Sequence, residues 1–112
     1  MAFTSLEIVP AAYAPATQTT LYTSPAITIT RIDKLTVTNT DTVAHTISIN
    51  LVPNAGTASD ANLTTDAYSI AAGQTWNSPN EYGHYLNAGD LISVIASVAS
   101  KLVIAIGGTQ MT

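Results

Sequence analysis

The segments Ile70-Ala71-Ala72-Gly73-Gln74-Thr75 and Leu86-Asn87-Ala88-Gly89-Asp90-Leu91 repeat one design: an apolar anchor, two mostly small residues, a glycine, a polar residue and the start of a new run. Each predicts a tight turn between strands. Glycine supplies the positive φ that such turns often need, and a neighbouring Asn or Asp can hydrogen-bond the turning backbone. The runs around them are built of Thr, Val, Ile and Leu, which suit a pleated, half-buried surface. No segment sustains a helical period, so the chain is read as all-β.

The first run, Ser5 to Val9, alternates briefly and stops at Pro10, and the small residues from Ala11 to Ala16 surround Tyr13 and Pro15. Residues 1–16 are therefore expected to form an extended, partly mobile N-terminal arm, with residues 17–112 as the folded domain. Strands are expected at 18–23, ended by Ser24-Pro25, and at 27–38, with an irregularity near Arg31 where the alternation breaks. The segment from Val43 to Leu51 alternates most cleanly, with Val43, His45, Ile47, Ile49 and Leu51 in one phase. A polar loop is expected over 54–66, then short strands at 67–70 and 75–77. The last two strands, 91–98 and 101–106, carry apolar residues in both phases. Read as a hairpin, they must have their outer face covered by a loop or a second subunit. About eight short strands with turn signals every ten or so residues predict a single antiparallel β-sandwich or jelly roll.

The 112 residues suffice for one core, and 46% of them are hydrophobic. Only 9% are charged, well below the ~25% of ordinary soluble domains, so Ser and Thr carry the surface polarity. Such a surface loses little hydration when pressed against another protein, which favours life within an assembly. The net charge of −4 and just three basic residues, Arg31, Lys34 and Lys101, leave no cationic stripe for nucleic acid. No cysteine is present to make disulfides or thiolate metal sites. No signal peptide is expected, and the apolar run from Leu91 to Ile106 is interrupted by Ser93, Ser97, Ser100 and Lys101, so no membrane partner is expected either.

His45 falls in the apolar phase of its strand and reads as a hydrogen-bonded structural histidine, whereas His84 sits between Tyr82 and Tyr85 in a connection open to a ligand or partner. No nucleophile motif accompanies them, and the carboxylates are scattered at turn-like positions, so no enzyme is expected. Asp60, Asn62, Thr64 and Asp66 alternate like the start of a calcium loop, but Thr65 stands where that loop needs glycine and Ala71 where it needs glutamate. An ordinary Asx-rich turn is the simpler reading, and no metal or cofactor is expected. Trp76, Tyr82 and Tyr85 could line a sugar platform, against the alternative that Trp76 packs in the core or an interface.

The strings Leu21-Tyr22-Thr23-Ser24-Pro25-Ala26, Ile32 through Asn39-Thr40, Ile47-Ser48-Ile49-Asn50-Leu51-Val52-Pro53, Ile70-Ala71-Ala72-Gly73 and Leu86-Asn87-Ala88-Gly89-Asp90 resemble small structural proteins of tailed bacteriophage virions. The likeness spans about residues 19 to 106 and is greatest to the jelly-roll cement, or decoration, proteins of phage capsids. The resemblance implies a non-enzymatic protein on the capsid exterior, made in the bacterial cytoplasm, that forms a dimer or trimer and clamps major capsid subunits. On that reading Leu91, Val94, Leu102, Val103, Ile104 and Ile106 form the oligomer contact, and Tyr13, Pro15, Asp60 and Asn62 reach the capsid. A tail or fibre-attachment component and a small carbohydrate-binding sandwich are the alternatives.

Overall fold

The structure is a computed structural model that describes residues 2–112. It contains nine strands: β1 (Phe3–Tyr13), β2 (Thr19–Thr23), β3 (Ile29–Asn39), β4 (His45–Val52), β5 (Leu63–Ile70), β6 (Thr75–Asn77), β7 (Tyr85–Leu86), β8 (Leu91–Ala96) and β9 (Leu102–Met111). One 3-10 turn, Asp60–Asn62, precedes β5. Among the described residues no helix is long and apolar enough to cross a membrane.

A front sheet has the order β1-β9-β3, with β6 and β7 sharing the far edge of β3, and a back sheet has the order β2-β8-β4-β5. All pairings are antiparallel. The chain doubles back between β4 and β5, and each strand before that fold pairs with its counterpart after it: β4 with β5, β3 with β6 and β7, β2 with β8, β1 with β9. This is a hairpin rolled into two layers, the pairing of a jelly roll, as the strand and turn signals predict.

The two layers close over Ile32, Leu35 and Val37 of β3, Ile47 and Ile49 of β4, Ile92 and Val94 of β8, and Leu102, Ile104 and Ile106 of β9. None of these side chains has more than 1% of its surface exposed, so each contributes about 1.5–3 kcal/mol by burial. Ile32 and Leu35 are three residues apart yet share the core face. Strict alternation cannot achieve that, and the β3–β9 register slips by one residue at Asp33. The expected irregularity near Arg31 is this bulge. Ile8 and Val9, adjacent and both buried, impose a second slip on β1.

Both glycine turns form, and a third of the same construction joins them. In Ala71–Gln74, Glu81–His84 and Asn87–Asp90 the fourth residue's amide donates to the first residue's carbonyl, and the glycine at the third place has φ of +72°, +80° and +86° respectively. Each turn docks on one residue by two backbone bonds. Asn39, Ile32 and Ser24 each donate to the carbonyl after the glycine and accept from the glycine amide. The third turn stands in the aromatic connection 78–85, where no strand-like run follows the glycine closely enough to signal it.

Two expectations differ from the structure. Of the expected arm over 1–16, Met1 lies outside the described residues, and Phe3 to Tyr13 form an edge strand along β9, a part of the front sheet rather than a separate arm. Ile8, Val9 and Ala14 are buried in the core and hold it there, and the Ala14 amide donates to the Leu102 carbonyl at 2.7 Å. The expected hairpin 91–106 does not exist. β8 lies in the back sheet and β9 in the front one, so their core phases face each other across the sandwich. The outer side of β8 is partly covered by the segment before β2 and by the 54–62 loop, and its outward apolar residues Leu91 and Ile95 stay half-buried, Ile95 beside an open groove. Gln18 Nε2 donates to Ser93 Oγ at 2.6 Å, while Asn50 Nδ2 on the neighbouring strand donates to the Ser59 carbonyl and to Asn62 Oδ1.

Candidate interaction surface

The outer face of the front sheet is not roofed. Antiparallel register places side chains in rows across it. Phe3, Met111 and Ile29 form one row, Ser5, Thr109 and Arg31 the next, then Glu7, Gly107 and Lys34, and finally Tyr13, Val103, Thr38 and Thr75. Along β9 the outward residues Val103, Ala105 and Gly107 are small, so β9 is the floor and its neighbours are the rims. Over Ala105 and Gly107 lies an open groove of about 310 Å³ between Glu7 on one rim and Lys34 and Thr36 on the other. A second, of about 370 Å³, runs from Lys34 to Pro79 and Tyr82.

Charge on this face is locally balanced. Arg31 Nε donates to Asp33 Oδ1 at 2.7 Å, and Thr109 Oγ1 donates to Asp33 Oδ2 at 2.7 Å. The Thr109 hydroxyl, then the Arg31 guanidinium, hold the Asp33 carboxyl below the usual carboxylate range, and Asp33 in turn raises Arg31. The bulge at Asp33 permits the cluster, because it turns that carboxylate sideways onto the Thr109 row.

Glu81, which the sequence places in a turn, is the one carboxylate among the described residues with no exposed surface. Thr64 and Thr65 donate to its Oε2 at 2.6 and 2.7 Å, and Ser78 donates to its Oε1. These bonds fasten the 78–84 connection of the front sheet to β5 of the back sheet. Among the described residues every buried side-chain polar atom has a partner, so the buried polar groups are committed to the fold.

Of the residues expected at an oligomer contact, Val94, Leu102, Ile104 and Ile106 lie in the core with at most 1% exposure and cannot touch a partner. The physical reason is the crossover: two strands in opposite sheets turn these phases inward. Leu91 is half-buried on the back sheet, and Val103 alone lies on the open front face. The expected capsid contacts are not brought together. Tyr13 is 55% exposed on the front face, and Pro15 is half-buried where the chain crosses, its carbonyl accepting from Ala96. Asp60 is exposed beside the back sheet, but the Asn62 carboxamide is consumed by Asn50, the Ser59 amide and the Thr57 carbonyl. The calcium-like spacing does not converge, since Asn62 is so engaged and the Thr64 hydroxyl points to Glu81. Among the described residues no three His, Asp or Glu side chains cluster as metal ligands.

His45 is bonded at 2.7 Å to Asp41, in keeping with a structural role, and His84 is exposed in the third turn. Trp76 stacks on Tyr68 with ring centroids 4.0 Å apart, closing the open side of the sandwich between β5 and β6. Its strand pairs with β3 at Val37, whereas Tyr85 pairs at Arg31, six residues or roughly 20 Å away, so Trp76 and Tyr85 share no platform.

No family model, curated protein or solved structure matches this chain.

Proposed function

We propose that this chain is a non-enzymatic structural protein of a bacteriophage virion, a cement protein that binds the outside of the capsid as a small homo-oligomer and bridges major capsid subunits. The observation that carries the reading is the surface. It is poor in charge, and Phe3, Tyr13, Ile27, Tyr82 and Tyr85 each expose more than half of their side chains on it. Contact with such a surface removes apolar area from water without stripping many ions of their hydration. The jelly-roll pairing is compatible with this use and does not define it. On a symmetric shell, modest contacts repeated at many equivalent seams add up through multivalency.

The test is co-sedimentation of the purified chain with DNA-free capsid shells of the cognate phage. Saturable binding at a fixed ratio to the capsid subunit supports the proposal. Absence of binding, with a ring or trimer in solution, moves the protein to a tail or fibre-attachment component.

A further inference from the structure

We propose that the open face of the front sheet is a self-association surface, and that its occupant is a second copy related by a two-fold axis lying parallel to β9 between the two faces. The inference deepens the homo-oligomer part of the function proposed above and rests on it.

Charge selects the occupant. Glu7, Arg31, Asp33 and Lys34 make this face neutral, although the chain as a whole carries −4. The remaining five acidic residues and the single basic Lys101 lie elsewhere, so the net negative charge resides off this face and contact through it brings no net like charge together. Arg31 and Asp33 satisfy each other within one chain. Glu7 and Lys34 do not: they are exposed, in no ion pair among the described residues, and separated by Gly107 in one register row.

Charge also selects the axis. A two-fold parallel to β9 exchanges the β1 and β3 sides of every row, so Glu7 meets the partner's Lys34 and Lys34 meets the partner's Glu7. The same operation brings Phe3 against the partner's Ile29. A two-fold running across the strands would instead set Glu7 on the partner's Glu7 and Lys34 on the partner's Lys34. Such a contact is isologous, as closed dimers require. Gly107 and Ala105 supply the clearance, because the groove above them admits the long side chains that meet there. The ten residues of β9 and the three strands that overlap about this axis, β1, β9 and β3, span roughly 33 by 14 Å, on the order of 460 Å² before side-chain relief. That is a little over half of the ~800 Å² per partner of a standard interface.

The experiment is sedimentation equilibrium of the isolated chain and of three folded variants, Glu7→Lys, Lys34→Glu and the double swap. The wild type is expected at twice the chain mass, with each single reversal weakening dimerisation about tenfold or more. The double swap should restore it. An equimolar mixture of the two single variants should also dimerise, since both lysines of the Glu7→Lys chain then face glutamates of the Lys34→Glu chain across the axis. A monomeric wild type, or single variants as dimeric as the wild type, overturns the inference. Shell binding by a monomer would leave the cement proposal standing while this interface falls; charge-swap rescue without shell binding would do the reverse.

Discussion

The carboxylate of Glu81, with no exposed surface, accepts a hydrogen bond from the Thr65 hydroxyl at 2.7 Å, and among the described residues no basic side chain pairs with it. Three hydroxyls supply the donors that a cation would otherwise supply. Replacing Glu81 with Ala takes the acceptor from the Thr65 and Ser78 hydroxyls, leaves Thr64 only the Ile49 carbonyl, and opens a void, so unfolding free energy in urea should fall by about 2–4 kcal/mol. Glu81→Gln keeps the shape and one acceptor oxygen and should cost about 1 kcal/mol. Equal losses in the two variants would mean that volume, not hydrogen bonding, is what Glu81 supplies.

Glycine turns separate conformational strain from steric clash. At Gly73 (φ +72°) an added Cβ meets nothing within 4 Å, whereas at Gly89 (φ +86°) it would lie 2.5 Å from the Asn54 carboxamide carbon. Gly73→Ala should therefore lose about 1–2 kcal/mol, the cost of left-handed backbone. Gly89→Ala should lose more, because the exposed Asn54 side chain must also swing away from the new Cβ. Thermal unfolding of both variants ranks them directly.

How far the fold is legible in the chain follows from what each feature depends on. The turns at Gly73 and Gly89, the alternation of β4 and the break in β3 are local signals, and each is visible over a few residues. The pairing of β1 with β9 joins residues about a hundred positions apart, and nothing local in Ser5–Val9 reveals it. The two-phase apolarity of β8 and β9 is plain in the sequence, but its meaning turns on which sheet each strand joins. Glu81 shows the same limit for a single residue: a carboxylate in a turn reads as solvated, and only tertiary placement of Ser78, Thr64 and Thr65 makes it a buried hub. The Glu7–Gly107–Lys34 row is invisible for the same reason, since it is written across three strands.

Acid sensitivity is expected from two carboxylates. Asp33 is held below its usual range by the Thr109 hydroxyl and then Arg31, and Asp41 by the His45 ring, the Thr42 amide and Lys101. A carboxylate depressed in the folded state stabilises the fold at pH above its unfolded value and ceases to as pH falls through its folded value. Stability should therefore decline below about pH 4. Asp33→Asn and Asp41→Asn should each make that decline shallower while lowering stability at neutral pH. Identical acid limbs in wild type and variants would show that neither contact matters to the pH response.

Ile27 is 91% exposed with φ of +55°, a conformation that a β-branched residue adopts only at a cost. Its side chain gains almost nothing by burial within the chain. Ile27→Asn tolerates the left-handed backbone and should raise unfolding free energy by about 1 kcal/mol. A loss of stability would show that Ile27 makes contacts in solution that compensate for the strain.

Val103 and Ile104 are neighbours with opposite fates, because alternation along β9 sends one outward and the other into the core. Ile104 has no exposed surface, and its row partner Val37 has none either. Ile104→Asp places a charge in that core with no cation to meet it and should prevent folding, and even Ile104→Ala should cost about 2–5 kcal/mol. Val103 faces outward beside Thr38 and Tyr13. Val103→Asp should leave the far-UV circular dichroism intact and change stability by under about 1 kcal/mol. On the two-fold proposed for the front face, Val103 lies close to its own symmetry mate, so the same substitution sets two carboxylates against each other and should drive the chain to a monomer. A folded, still dimeric Val103→Asp protein would place the contact elsewhere than the front face.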